Sequence, residues 1–435
     1  MINNNNIDKQ FLKYNEALQI LKEKFQILYK ENLKLGEANP IGHIKYRIKS
    51  KKSIQNKLKN KFNLDFTTSN IEENLHDIAG IRIVCPFLSD INKIINYINK
   101  DSDINVIKVK NYIKSPKPNG YSGYHMIVSV PILIDGIKEY IKAEIQIRTM
   151  AMDVIASLDH KLKYKNDITF SKEMEQRLQE IVNFVNLIDI EMDNIIQVKR
   201  QHSKEKVLIN SLPNISNEKN LNIFLKKYKI ALKNVADTIN TIKEEYLINE
   251  MVNPIEHING RIKPIDSIIA KLAEKNKELT FKNVEEYIND VGAIKIVCSF
   301  LSDVQEIINK INEQKDFVII DRQDYITNPK ECGYSSYHFV VAVPIKVAGE
   351  MTTVKIEIQV RTIIMDFWAN IEHILCYKKD VDASPKEEMK RIASILQIID
   401  PEMDKLDQII KEETNIFNKS KLKRKVKTKK KKTNQ

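Results

Sequence analysis

Four acidic residues at matched spacing carry the strongest chemical signal in this chain. Asp77 lies in HDIAGIRIV and Glu144 in AEIQIRT; Asp290 and Glu357 stand 213 residues further on, in NDVGAIKIV and KIEIQVRT. Two carboxylates converging from separate strand regions make a seat for magnesium, which takes one or two carboxylates together with phosphate oxygens and water. Cations crowd the same segments: Arg47, Lys49 and Lys57, then Arg82, then Lys114 and Lys117. Such a mixture suits a nucleoside triphosphate with its metal, because charge on a transferring phosphoryl group has to be neutralised. Surface ion pairs at helix and strand ends would give a similar pattern in one copy taken alone.

The elements that position these groups occur twice. NYIKSPKPNGYSGYHMIVSV, Asn111 to Val130, is matched by DYITNPKECGYSSYHFVVAV, Asp324 to Val343. Each places a lysine, a Gly-Tyr pair and a histidine in a loop that feeds an apolar strand, the kind of place where chemistry is carried. In KIEIQVRT, Ile356, Ile358 and Val360 alternate with Glu357, Gln359 and Arg361, so a strand buries the first set and presents the second on one face. AEIQIRT does the same with Glu144, Gln146 and Arg148. The repeat reaches outward to FLKYNEAL at Phe11 against FLKKYKIAL at Phe224, and to DIEMD at Asp189 against DPEMD at Asp400. A repeat of that length is a domain and not a solenoid unit.

Each copy reads as a long amphipathic helix (Phe11 to Glu31; Phe224 to Asn249), a Pro-Ile-x-His turn, a basic segment leading into a second helix, strands around the loop, and closing helices. The fold class expected is α/β, a mixed sheet flanked by helices, twice. In MDFWANIEHILCYK the residues Met365, Phe367, Trp368, Ile371 and Leu375 form a core-facing stripe, which makes Trp368 a packing residue. The domains expected are 1–210 and 220–418, joined by a polar linker at 211–219 and followed by a tail at 419–435.

Composition narrows the function classes. With 435 residues, 42% apolar and 29% charged, the chain can bury cores of ordinary domains. Apolar runs such as MIVSVPILI fall far short of the roughly 20 residues that a membrane helix needs, so no membrane span is expected. MINNNNIDKQFLKY lacks the apolar centre of a secretory signal, so the compartment expected is the cytosol. Cys85, Cys298, Cys332 and Cys376 form no CxxC pair and read as buried or incidental thiols, not zinc ligands. The net charge of +12 is concentrated in KSKLKRKVKTKKKK, Lys419 to Lys432, which holds ten Lys/Arg and no acid. That tail is expected to be disordered and to be drawn to polyanions, RNA or the ribosome. His43 with His257, His125 with His338 and His160 with His373 fall in repeat pairs, but no Ser/His/Asp or HExxH arrangement surrounds them.

In order along copy one, and with matching segments in copy two, R-x-K-x-x-x-S-x-x-x-K, D-I-A-G-I-R, K-P-N-G-Y-x-x-Y-H, E-I-Q-I-R-T and D-H-K-x-x-Y-K together resemble the synthetase domain of the RelA/SpoT family, in its small alarmone synthetase form. The resemblance covers both copies almost end to end and implies a nucleotidyltransferase-like fold. It also implies transfer of the β,γ-pyrophosphate of ATP to the 3′-hydroxyl of GDP or GTP, with Mg²⁺, giving ppGpp or pppGpp. By that resemblance Asp77, Glu144, Asp290 and Glu357 are catalytic and hold the metal, and the two glutamates help deprotonate the acceptor. Arg47, Lys49, Ser53, Lys57 and Arg82 in copy one would bind ATP, as would Arg261, Lys263, Ser267, Lys271 and Lys295 in copy two. Lys117, Tyr121, His125 and Gln146, with Lys330, Tyr334, His338 and Gln359, would line the guanosine site, the tyrosines stacking on guanine.

Copy one departs from the family pattern at Tyr46, Gly123 and Asp159, copy two at Lys295, where Arg82 stands in copy one. Lysine keeps the charge but loses the planar face that stacks on adenine. No hydrolase segment is expected, since Asp77 of the His76-Asp77 pair is already used by the synthetase motif. Two other readings remain open: a pyrophosphokinase acting on tRNA or adenosine nucleotides, and a non-catalytic nucleotide- or RNA-binding regulator. The family further implies a homo-oligomer, or a pseudo-dimer within the one chain.

Overall fold

The computed structural model describes residues 4–34, 39–134, 136–164, 171–203, 218–249, 251–347, 349–376 and 383–432. They divide into two compact units that meet in sequence near residue 205. Most of the expected linker, and the motif ends at Lys165 and Lys378, lie outside the described residues.

The first unit opens with α1 (Asn4–Lys34) and continues through β1 (His43–Ile48), α2 (Lys51–Lys57) with a π-helical turn (Leu58–Phe62), α3 (Thr68–Asn74), β2 (Ala79–Cys85) and α4 (Leu88–Lys100). It then runs through β3 (Asn105–Asn111), β4 (Tyr124–Ile134), β5 (Ile137–Thr149), α5 (Met150–Tyr164) and α6 (Lys172–Ser203). The sheet order is β1-β2-β5-β4-β3; β2 and β5 run parallel and the other pairs antiparallel. The second unit repeats this with α7 (Glu218–Ile248), β6 (Ile255–Ile262), α8 (Ile265–Glu274), α9 (Phe281–Tyr287), β7 (Gly292–Cys298), α10 (Leu301–Asn312) and β8 (Val318–Asp324). After these come β9 (Tyr337–Val347), β10 (Glu350–Thr362), α11 (Ile363–Cys376) and α12 (Ala383–Lys432), and the sheet order is β6-β7-β10-β9-β8.

One face of each sheet is apolar and covered. Ile81, Ile83, Ile145 and Ile147 are buried beneath Leu21 and Phe25 of α1 and Ile91, Ile94 and Ile98 of α4, whose spacing is that of a helical stripe. In the second unit α7 and α10 do the same with Tyr228, Val235, Ile307 and Ile311. The opposite face is left for polar residues, and Trp368 packs at 3% exposure as expected.

Two features differ from the sequence reading. The basic segment after the Pro-Ile-x-His turn is strand β1 (β6 in the second unit), because His43, Lys45 and Arg47 alternate with Ile44, Tyr46 and Ile48 and the charges mask the period of two. Helix α12 continues to Lys432 through the basic stretch expected to be disordered; KSKLKRKVKTKKKK contains neither glycine nor proline to stop it.

Candidate active site

Cross-strand partners in a sheet point to the same side, so the register decides which groups meet. Lys45 lies opposite Arg82, Arg82 opposite Gln146 and Gln146 opposite His125; Arg47 lies opposite Gly80, which neighbours Glu144. The polar face therefore carries Lys45, Arg47, Arg82, Glu144, Gln146, Arg148 and His125. The second unit assembles Arg261, Lys295, Glu357, Gln359, Arg361 and His338 by the same register.

Glu144 is held at both oxygens: His125 Nδ1 lies 3.0 Å from Oε1, and Gln146 Nε2 donates to Oε2 at 2.8 Å. Behind His125, its Nε2 is 2.6 Å from the Tyr121 hydroxyl, which accepts from Arg148 Nη2 at 2.5 Å. The chain closes without an orphan when the tyrosine hydrogen goes to Nε2, leaving Nδ1 of the neutral imidazole to donate to the glutamate. Burial pushes the Glu144 carboxyl up, but His125 and Gln146 outweigh it and hold it below the usual range. The second unit repeats the relay from Arg361 through Tyr334 (2.9 Å) and His338 (2.9 Å) to Glu357 (3.3 Å), with Gln359 at 2.5 Å. Glu357 is lowered for the same reasons.

Asp77 stands just before β2. The Lys49 amide donates to the Ile78 carbonyl at 2.9 Å, which sets the Lys49 side chain beside Asp77. Asp77 Oδ2 accepts from Lys49 at 2.6 Å and Lys57 at 2.7 Å. Burial would raise this carboxyl; the two ammonium groups bring it down to about 2. Its Oδ1 is buried with no hydrogen-bond partner. Asp290 instead gives one oxygen to Lys263 at 2.7 Å and the other to Lys271 at 3.0 Å. Ser53 and Lys57, like Ser267 and Lys271, are one helical turn apart and share a helix face. Arg47 and Arg261 are exposed on their strands.

Each Gly-Tyr loop folds over the other end of this face. In the first unit Tyr121 packs edge-on to Tyr112 and His125, with Lys117 Nζ 4.6 Å from its ring centroid. Tyr334, Tyr325, His338 and Lys330 form the equivalent cluster.

The structure adds residues to which the sequence reading assigned no role. Buried Asp153, in the first turn of α5, receives Lys45 at 2.9 Å, Arg82 at 2.9 Å and Arg148 at 3.4 Å. Burial pushes its carboxyl up, but Lys45 and Arg82 hold it well below the usual carboxylate range. Asp366 anchors Lys295 at 2.7 Å and Arg361 at 3.7 Å. Arg82 also reaches Gln146 at 3.4 Å. Tyr112 and Tyr325 are likewise new. Asp153 with Asp366 and Tyr112 with Tyr325 fall into pairs 213 apart, a signal that was available from the repeat, whereas Lys45 is answered by Asn259.

Among the described residues no cluster of three or more His, Cys, Asp or Glu is placed to hold a metal. No helix is long and apolar enough to cross a membrane, among the described residues.

The model of a family described as "Region found in RelA / SpoT proteins" matches residues 46–169 and 260–382. GTP pyrophosphokinase YwaC of Bacillus subtilis (strain 168) is 43% identical over 183 residues, which are 42% of this chain and 87% of that protein. GTP pyrophosphokinase YjbM of the same organism is 33% identical over 200 residues, 46% of this chain and 93% of its own length. The crystal structure of small alarmone synthetase 1 from Bacillus subtilis bound to its product pppGpp is 33% identical, covers 45% of this chain and 100% of that chain, and has a TM-score of 0.42. The two matched regions take in more than half of the sequence and contain both carboxylate pairs and both loops, and the chain belongs to the RelA/SpoT family.

Proposed function

We propose that this protein is a GTP pyrophosphokinase with two synthetase units, each transferring the β,γ-pyrophosphate of ATP to the 3′-hydroxyl of GDP or GTP. The observation that carries the reading is the relay Arg148–Tyr121–His125–Glu144 and its repeat Arg361–Tyr334–His338–Glu357, which fixes an ionised carboxylate at the end of a Gly-Tyr loop. A group so held can accept the proton of a sugar hydroxyl while its partners keep it aimed. Gln146 and His125 line the acceptor end of the face. The Tyr121 and Tyr334 rings offer flat apolar surfaces for a base.

The donor end fits a triphosphate. Lys49, Lys57 and Ser53, with Arg47 and Arg82, supply positive charge and donors along one edge; Lys263, Lys271, Ser267, Arg261 and Lys295 do so in the second unit. Bound Mg²⁺ would be held by Asp77 with Glu144 and by Asp290 with Glu357, where it would neutralise phosphate charge. The unpartnered Asp77 Oδ1 and the hard oxygen donors fit such an ion. In the second unit Lys263 or Lys271 has to release one Asp290 oxygen first.

The reading places the protein in the cytoplasm, without hydrolase activity, with RNA or the ribosome as the partner of the basic stretch after 418, and as an oligomer or pseudo-dimer. γ-Labelled ATP with GDP or GTP and Mg²⁺ should give labelled ppGpp or pppGpp. Glu144→Gln and Glu357→Gln should each silence one unit by about 10²–10⁴-fold, the span for a positioned general base. Absence of guanosine product from the intact chain would overturn the proposal, and tRNA as acceptor would then test the alternative.

A further inference from the structure

Behind the acceptor loop of the second unit, on the side of α11 and α12, lies a cavity of about 260 Å³. Its walls include Ile326 and Gly333 of the loop, Trp368 of α11, and Leu396, Gln397 and Asp400 of α12; none of the residues assigned to pyrophosphate transfer lines it. The space is ample for a small guest, since cavities of about 150 Å³ hold benzene.

One acceptor at its edge lacks a donor. Asp400 is 3% exposed; its Oδ2 accepts from Thr362 Oγ1 at 2.7 Å, while its Oδ1 is buried with no hydrogen-bond partner. An unmatched buried carboxyl oxygen is costly. Pro401, inside α12, has no N–H to offer the Gln397 carbonyl, which loses its helical donor. At the positions of Trp368 and Pro401 the first unit has Ile155 and Ile190, so these features belong to the second unit's own sequence.

We propose that this cavity is a binding site for a small apolar amine, its hydrocarbon against Trp368 and Leu396 and its ammonium donating to Asp400 Oδ1. The ammonium supplies the missing donor, and its charge favours the ionised form of Asp400, whose carboxyl burial, with Asp404 beside it, raises to about 7. Trp368 Nε1 donates to the Cys332 carbonyl at 3.0 Å, so the guest touches the residue that pins the loop carrying Tyr334. Binding at this site does not depend on the transfer reaction.

Trp368 is the one tryptophan in the chain, and its emission reports on the cavity wall that it forms. Titration of the full chain with 2-phenylethylamine should give a saturable emission change. Ethylbenzene, which lacks the donor, should bind at least about tenfold more weakly, the worth of a hydrogen bond to a charged group. Asp400→Asn should remove most of the amine's advantage, and Leu396→Phe, which fills the apolar end, should abolish the response to both probes. A non-saturable change, equal affinity for amine and ethylbenzene on the unmodified chain, or an unaltered amine affinity in a folded Asp400→Asn variant would each overturn the proposal. If that variant does not fold, the comparison of the two probes on the unmodified chain decides.

Discussion

At the scale of single residues, the two sites differ where Arg82 is answered by Lys295. Arg82 spans Gln146 and Asp153, whereas Lys295, with one ammonium group, is paired with Asp366. A guanidinium anchored at two points presents a flat cation to a base, and lysine cannot. Lys295→Arg, assayed in a Glu144→Gln background so that the second unit alone turns over, should lower the KM for ATP by about threefold to tenfold, the value of one cation–π contact. An unchanged KM would remove adenine stacking from the role given to this position. Asp153 and Asp366 act through these cations and hold them on the polar face.

At the scale of elements, the Gly-Tyr loops are clamped from behind. Gly333 has φ +79°, and a Cβ there would lie 2.3 Å from the Ala393 Cβ of α12; Gly120, at φ +77°, faces Val182 of α6 at 2.4 Å. Gly333→Ala meets both backbone strain and a packed helix, so the unfolding free energy of the second unit should fall by about 1–3 kcal/mol, read from its thermal transition. The strand-to-helix junction after β5 holds another buried group. Asp189 of α6 accepts from Thr149 Oγ1 at 2.6 Å, and burial, with Asp193 beside it, raises its carboxyl to about 7. Because the folded value lies above the unfolded one, the stabilisation is complete below about pH 4 and is lost as the pH rises towards 7. Asp189→Asn keeps an acceptor for Thr149 and cannot ionise. Its melting temperature relative to the parent should therefore climb between pH 4 and pH 8; a difference independent of pH would show that the carboxyl titrates alike in the folded and unfolded chain and is not raised by burial.

At the scale of the molecule, each unit carries its own sheet and its own core, the condition for folding alone. Residues 1–210 and 211–435 expressed separately should each unfold cooperatively; failure of either fragment to fold would mean that its stability depends on the other. The duplication, the α/β class, the carboxylate pairs and the outward faces of β5 and β10 were legible in the sequence because they rest on short-range periods and on exact spacing between copies. Strand β1 was not, since charges on alternate residues hide a period of two when apolar residues are scored alone. Tyr112, Asp153 and the role of Arg148 were not legible either, although the repeat pairs each of them. Periodicity tells which way a side chain faces, but only the strand register and the fold of α5 across the sheet edge bring Asp153 to Lys45 and Arg82, residues 108 and 71 positions away. The cavity beside Trp368 is likewise a product of tertiary packing, because it exists only where three segments distant in the chain fail to fill the space between them.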